Sequence, residues 1–184
     1  MQSGVGTQFR WDATGRINIL AKVPDSTLEL IKASGCREVA LGIESGSDRV
    51  LDYMNKRIDT KLIVDAVSRL TSYGISVKGY FILGYPTETA DDLDQTIRLI
   101  ETLWAISDKN AGDFRCSVFE FRPYPGTSEF NKLLKTGKYT ATQLLNYSHI
   151  DLTQNSEDLR VLERDKFNFS VNLQFGEVPL VNVR

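Results

Sequence analysis

Strand-like apolar runs separated by helical periodicity constrain this chain more than any other feature. Val39-Ala40-Leu41-Gly42-Ile43 is too continuously apolar for a strand with one wet face, so it reads as a parallel strand covered on both sides. A second buried strand is expected over Ile75–Leu83 and a third over Phe114–Phe121. Between them Ile63, Ala66, Val67 and Leu70 recur at helical spacing from Thr60, and Leu93, Ile97, Ile100 and Trp104 share one face of a helix over Ala90–Ser107. Alternation of this kind is the pattern of βαβ units.

The earlier part follows the same grammar. Gln8–Asp12 predicts a short strand, and Pro24-Asp25-Ser26-Thr27 opens a helix with Ser26 and Glu29 at capping-box spacing, ended by Gly35. Ser47 is placed to cap a short helix carrying Val50, Leu51 and Met54, and Gly74 to close the helix from Thr60. Four consecutive strands with right-handed crossovers wind into an open arc or part of a barrel. A closed eight-stranded barrel takes about 250 residues, and 184 are present, so the expected ring is incomplete. Beyond Thr127 the regularity fades. Phe130, Leu133 and Leu134 suggest one more helix, Gln143–Tyr147 another, and Phe167 to Phe175 alternate as a half-buried strand or an extended arm.

Composition narrows the partners. A net charge of −2 and a pI near 5.5 give no field that attracts nucleic acid or anionic lipid. No apolar run approaches the ~20 residues of a membrane span and no leader opens the chain, so a cytoplasmic protein is expected. Cys36 and Cys116 are too few and too far apart for a disulfide scaffold or a metal knuckle, and read as packing residues. His149 stands alone in a polar stretch, which argues against a metal or catalytic role.

Ligands of parallel α/β sheets bind at the carboxyl ends of the strands. Here those ends are Glu44-Ser45-Gly46-Ser47, Gly84-Tyr85-Pro86 and Arg122-Pro123-Tyr124-Pro125-Gly126-Thr127. The Gly and Pro residues read first as turn formers. Glu44 differs: a carboxylate directly after an apolar strand costs several kcal/mol if buried alone. It therefore needs a partner, either a ligand hydroxyl or a basic side chain such as Lys56 or Arg57. Ser45 either binds ligand or caps the turn.

Taken in order, these segments resemble a known family. Trp11 with Arg16, Gly35-Cys36, Gly42-Ile43-Glu44-Ser45-Gly46-Ser47, Val50-Leu51, Met54-Asn55-Lys56, Tyr80 to Thr89 and Pro123-Tyr124-Pro125-Gly126-Thr127 resemble the second half of the radical S-adenosylmethionine core. The resemblance runs from about Trp11 to Phe130. It implies an α/β fold, a partial (β/α)₆ TIM-like barrel holding roughly strands three to six and open on one side. The implied domains are a lead-in over 1–6, the partial barrel over 7–135 and an extension over 136–184 packing on it.

By the same resemblance, Glu44 approaches the ribose hydroxyls and Lys56 the methionine carboxylate of the cofactor. Tyr80 and Ile82 lie along the nucleoside, and the backbone near Phe121 and Arg122 reaches the adenine. Tyr80 stands where relatives carry a carboxylate, which puts a ribose contact there in doubt. The family's [4Fe–4S] cluster needs a Cys-x3-Cys-x2-Cys loop, and Cys36 and Cys116 cannot replace it. The implied parent is therefore an iron–sulfur enzyme that reductively cleaves S-adenosylmethionine to a 5′-deoxyadenosyl radical. The chain itself is expected to lack the cluster, bind no cofactor and be inactive. Its partners would be the missing N-terminal part of the parent, an unknown substrate, and a second copy at the open barrel edge. Relatives carry out methylation, sulfur insertion, ring contraction and dehydrogenation, so the resemblance names no substrate. Two other readings remain open, a cluster-less interaction module and an unrelated barrel enzyme that binds a phosphorylated substrate.

Overall fold

A computed structural model of the protein describes residues 9–145 and 173–179. These group into two compact units, one containing residues through Glu120 together with those from Gly176, the other running from Phe121 to Phe175.

The first unit is built on four parallel strands in the order β1 (Trp11–Gly15), β2 (Cys36–Glu44), β3 (Ser76–Leu83) and β4 (Phe114–Glu120). Strand order equals chain order, as consecutive crossovers require. The connections are α1 (Ile17–Leu20) and α2 (Asp25–Ala33), then α3 (Asp48–Tyr53) and α4 (Thr60–Ser72), then α5 (Ala90–Ser107). β1 lies three residues later than the sequence pattern suggests, because the register begins at Trp11 opposite Cys36. The capping box at Ser26 does not form: α2 starts two residues earlier than that cap implies, with Pro24 as N-cap and no side-chain cap. A fixed proline φ suits a helix start without that help.

One face of the sheet is closed by helices. Val39, Leu41 and Ile43 of β2 and Val77 and Phe81 of β3 pack with Ile63, Ala66, Val67 and Leu70 of α4 and Leu99, Ile100 and Leu103 of α5. Gly79 on this face lets Ile43 and Phe114 approach: a Cβ there would stand 2.8 Å from Ile43 Cδ1. The phase of α5 differs from the sequence expectation. Thr96, Leu99 and Leu103 turn inward, while Ile97 and Trp104 are each 43% exposed.

The opposite face is half open, so β2 and β3 are not covered on both sides as their apolar runs suggested. Burial alternates strictly along β3, with Ser76, Lys78, Tyr80 and Ile82 half-buried between buried neighbours. Register brings Ala40 opposite Lys78 and Gly42 opposite Tyr80. The apolar look of β2 comes partly from these two small residues, which bury little surface. Asp12, Glu38 and Arg115 share the open face lower down, where Arg115 donates to both Glu38 carboxylate oxygens at 2.6 and 2.7 Å.

The second unit holds α6 (Ser128–Lys135), capped by Thr127, and α7 (Ala141–Leu144), opened by a Thr140–Gln143 capping box. The Tyr139 hydroxyl donates to the Gln174 carbonyl at 3.0 Å, and Leu173–Phe175 are irregular. Most of the alternating stretch from Phe167, along with His149 and the expected helix beyond Leu145, lies outside the described residues. Among the described residues no helix is long and apolar enough to cross a membrane.

Candidate functional site

The carboxyl ends of β1 and β2 open onto a cavity of about 470 Å³ whose lining includes Gly15, Arg16, Gly42, Asn55, Lys56 and Arg57. That volume lies within the ~300–1,000 Å³ of small-molecule sites.

Glu44 reaches this rim through a break in β2. Gly42 faces Tyr80 but Glu44 faces Phe81, so Ile43 is an extra residue in the ladder. The Ser45 N–H donates to the Ile43 carbonyl at 3.0 Å and Glu44 has φ of 70°, which makes Glu44 the centre of a tight three-residue turn. Such a backbone costs about 1–3 kcal/mol in a residue with a Cβ, and strain of this kind collects at ligand sites. The turn keeps Ile43 fully buried and swings the carboxylate to the open side. There Glu44 Oε1 accepts from Lys56 Nζ at 2.6 Å, with the side chains 15% and 33% exposed. This is the basic partner that the sequence position of Glu44 demands.

Lys56 is held as firmly as its partner. Asn55 N–H donates to Asp52 O at 2.9 Å and Lys56 N–H to Leu51 O at 3.1 Å, the Schellman closure of α3, with Asn55 left-handed at φ 55°. Arg57 is also left-handed, at 54°. Gly42 leaves space for the pair: a Cβ at that position would lie 2.6 Å from Glu44 Oε1 and 3.5 Å from Lys56 Nζ.

Ser45 serves the turn. It is fully buried, accepts from Ser47 N–H at 3.1 Å and lies 3.3 Å from the Thr96 hydroxyl. Gly46 presses on α5 so closely that a Cβ would sit 2.5 Å from Thr96 Cα, and its N–H donates to Thr96 Oγ1 at 2.9 Å. Ser47 caps α3 and donates to Asp92 Oδ1 at 2.5 Å. Asp92 also closes the capping box with Thr89 and pairs with Arg49. Burial alone would raise the Asp92 pKa; the hydrogen bonds from Arg49, Ser47 and Thr89 outweigh it and hold the carboxyl well below the usual range. Glu88 behaves oppositely. Its burial pushes the carboxyl up despite the Gly84 N–H donated to Oε2 at 2.6 Å.

Tyr80 and Ile82 stand on the same open face as Gly42, and the Tyr80 ring meets Phe119 edge-on at 5.6 Å. Phe121 and Arg122 belong to the second unit, where Phe121 is buried with its ring 5.4 Å from that of Phe175. Sequence reasoning did not assign Arg16, Asn55 or Arg69 to the site, and offered Arg57 only as an alternative to Lys56 as the partner of Glu44. Arg16 follows the true end of β1, a signal hidden by ending that strand at Asp12. Arg69 on α4 donates to the Ala21 and Val23 carbonyls at 2.6 and 2.7 Å and to Asp25 at 2.6 Å, tying down the segment after β1.

The superfamily model named radical SAM matches residues 13–100, which includes the end of β1, all of β2 and β3 and the whole Glu44–Lys56 corner. The chain belongs to the radical SAM superfamily. An uncharacterized methyltransferase of Pyrococcus horikoshii is 31% identical over 164 residues, covering 84% of this chain and 33% of that protein. The chain thus spans about a third of that relative's length. Among solved structures, the apo form of the cobalamin-dependent S-adenosylmethionine radical enzyme OxsB has a TM-score of 0.57 at 14% identity, over 70% of this chain and 23% of that one. Coproporphyrinogen III oxidase from Escherichia coli gives 0.51 at 18%, over 84% and 32%. These likenesses establish the fold, an open parallel sheet of the partial-barrel radical SAM kind.

Radical SAM enzymes employ S-adenosylmethionine and a [4Fe–4S] cluster, and the two groups fit this chain differently. The rim at Glu44 and Lys56, with its cavity and the space left by Gly42, suits a nucleoside-sized ligand carrying hydroxyls and a charged tail. The cluster does not fit. Three thiolates are required, and the chain has two cysteines. Cys36 is buried at the start of β2 with its thiol pushed up by burial, and Cys116 lies within β4 opposite Gly79. Among the described residues no group of three His, Cys, Asp or Glu could hold a metal.

Proposed function

We propose that this chain is the nucleoside-binding part of a longer radical SAM iron–sulfur enzyme. The carrying observation is the strained turn that presents Glu44 to the cavity rim, where Lys56 meets it at 2.6 Å. S-adenosylmethionine, when bound, supplies a sulfonium whose carbon–sulfur bond is cleaved by one-electron reduction. The chain's own residues bind and orient. Glu44 accepts hydrogen bonds from the ribose hydroxyls and Lys56 pairs with the methionine carboxylate, so each gives up part of its contact with the other. Tyr80 and Ile82 flank the nucleoside, while Ser45 keeps the turn in shape. Arg16 and Arg57 hold the local field positive beside the carboxylate. Turnover belongs to the longer protein, since no thiolate set for the cluster is present here.

Calorimetric titration with S-adenosylhomocysteine tests the reading. Binding should weaken at least tenfold in Glu44→Gln and in Lys56→Ala, with the circular dichroism unchanged. No binding to the unsubstituted chain, or equal binding by Glu44→Gln, would end the proposal.

A further inference from the structure

Among the described residues of the sheet's open face, charge pairing leaves Lys78 over. The carboxylates that the described strands place on that face each have a basic partner: Asp12 with Arg37 at 2.5 Å, Glu38 with Arg115 at 2.6 Å and Glu44 with Lys56 at 2.6 Å. Lys78 has no carboxylate partner among the described residues. Glu38, diagonal to it in the register, has both oxygens taken up by Arg115. The Lys78 ammonium rests instead over the Tyr80 ring, 5.1 Å from its centroid, which aims it up the strand toward the site.

The surroundings are shaped to admit something. Directly opposite Lys78 stands Ala40, which adds little side-chain bulk beside the ammonium, while the space over Gly42, opposite Tyr80, is taken by Glu44 and Lys56. On the β4 side Phe119 meets Tyr80 edge-on and is 53% exposed, an uncovered aromatic wall beside the lysine. An aromatic ring is a weak counterpart for an ammonium compared with a carboxylate or phosphate. A half-buried cation left on a ring beside an apolar wall is therefore poised for an anion that brings a flat apolar body with it.

We infer that Lys78 and Phe119, packed against the Tyr80 ring, form a second binding site on the open face next to the nucleoside site, which takes an organic anion with a planar unsaturated body. The anionic oxygens meet Lys78, and the body lies against Phe119, clear of the Glu44–Lys56 pair over Gly42. This rests on the open face being the ligand face, as proposed above, and assigns to the substrate of that site the chemistry of an aryl or heteroaryl carboxylate or phosphate ester.

Phenyl phosphate and benzoate serve as probes, titrated into the chain by calorimetry beside phenol and inorganic phosphate. Both aromatic anions should bind, phenol should not, and inorganic phosphate should bind at least fivefold more weakly than phenyl phosphate. Tighter binding of phenyl phosphate than benzoate marks a phosphate ester, and the reverse marks a carboxylate. Lys78→Gln should weaken the better probe at least fivefold, while Lys78→Arg restores it. Lys78→Gln should leave S-adenosylhomocysteine affinity unchanged, whereas Glu44→Gln should weaken the nucleoside and spare the aromatic anion, so the two readings fail separately. Absent binding, equal affinity in Lys78→Gln, or phenol binding as tightly as the anions would overturn the inference.

Discussion

The two faces of one sheet obey different rules. On the helix-covered face, Leu41, Ile43, Val77 and Phe81 are essentially dry and belong to one apolar cluster. On the open face, alternate residues of the same strands are half-buried, and their charges are mostly matched in pairs. The first face is where the hydrophobic effect acts, so it decides whether the chain folds. The second contributes little to stability because exposed ion pairs are worth little, so its residues are available to ligands. The contrast teaches that on a strand of period two, neighbours in sequence can have unrelated duties.

Adjacent residues of β3 give the strongest test of that contrast. Phe81→Ala should cost about 3–5 kcal/mol in urea unfolding, as removal of a buried ring does. Ile82→Ala, one position on but across the sheet, should cost well under half as much. Equal losses would break the comparison.

Asp92 comes next. It joins the cap of α3 to the first turn of α5, and Asp92→Asn should cost about 2 kcal/mol, discounted because Arg49 is half exposed. The unfolded carboxyl binds protons more readily than the folded one, so this contribution is present above the ordinary carboxylate range and lost as pH falls below it. Wild type and Asp92→Asn should therefore converge in stability in acid.

Glu88 sharpens the picture with the opposite sign. Its folded pKa is raised by burial, so its ionisation works against the fold increasingly as pH rises from the ordinary glutamate range through the raised value. Glu88→Gln should gain on wild type between pH 4 and pH 8 in thermal melts, and a constant offset would contradict the assignment. The smallest effect is expected at Glu38→Gln on the open face, with no measurable shift in the urea midpoint because Arg115 is exposed. A clear loss there would show that the open face also carries stability.

Much of this was legible in the sequence because it depends on local rules. Helical spacing set α4 and α5, Gly74 closes α4 in the left-handed conformation at 70°, and Ser47 caps α3 as its position suggests. The need of Glu44 for a partner followed from the cost of burying a carboxylate, and Lys56 supplies it. What the sequence could not reveal depends on which surfaces meet. The outward turn of Ile97 and Trp104, the place of β1 and the half-open side of β2 all follow from packing against elements far along the chain. The strained turn at Glu44 is of the same kind. Local propensity disfavours it, and it stands because Ser45, Gly46 and Ser47 are locked onto α5 some fifty residues away. By itself the sequence determined the order of elements, the family and the charge that must be matched. Only the tertiary structure decided which face stays open, because burial belongs to pairs of surfaces and no single segment contains both.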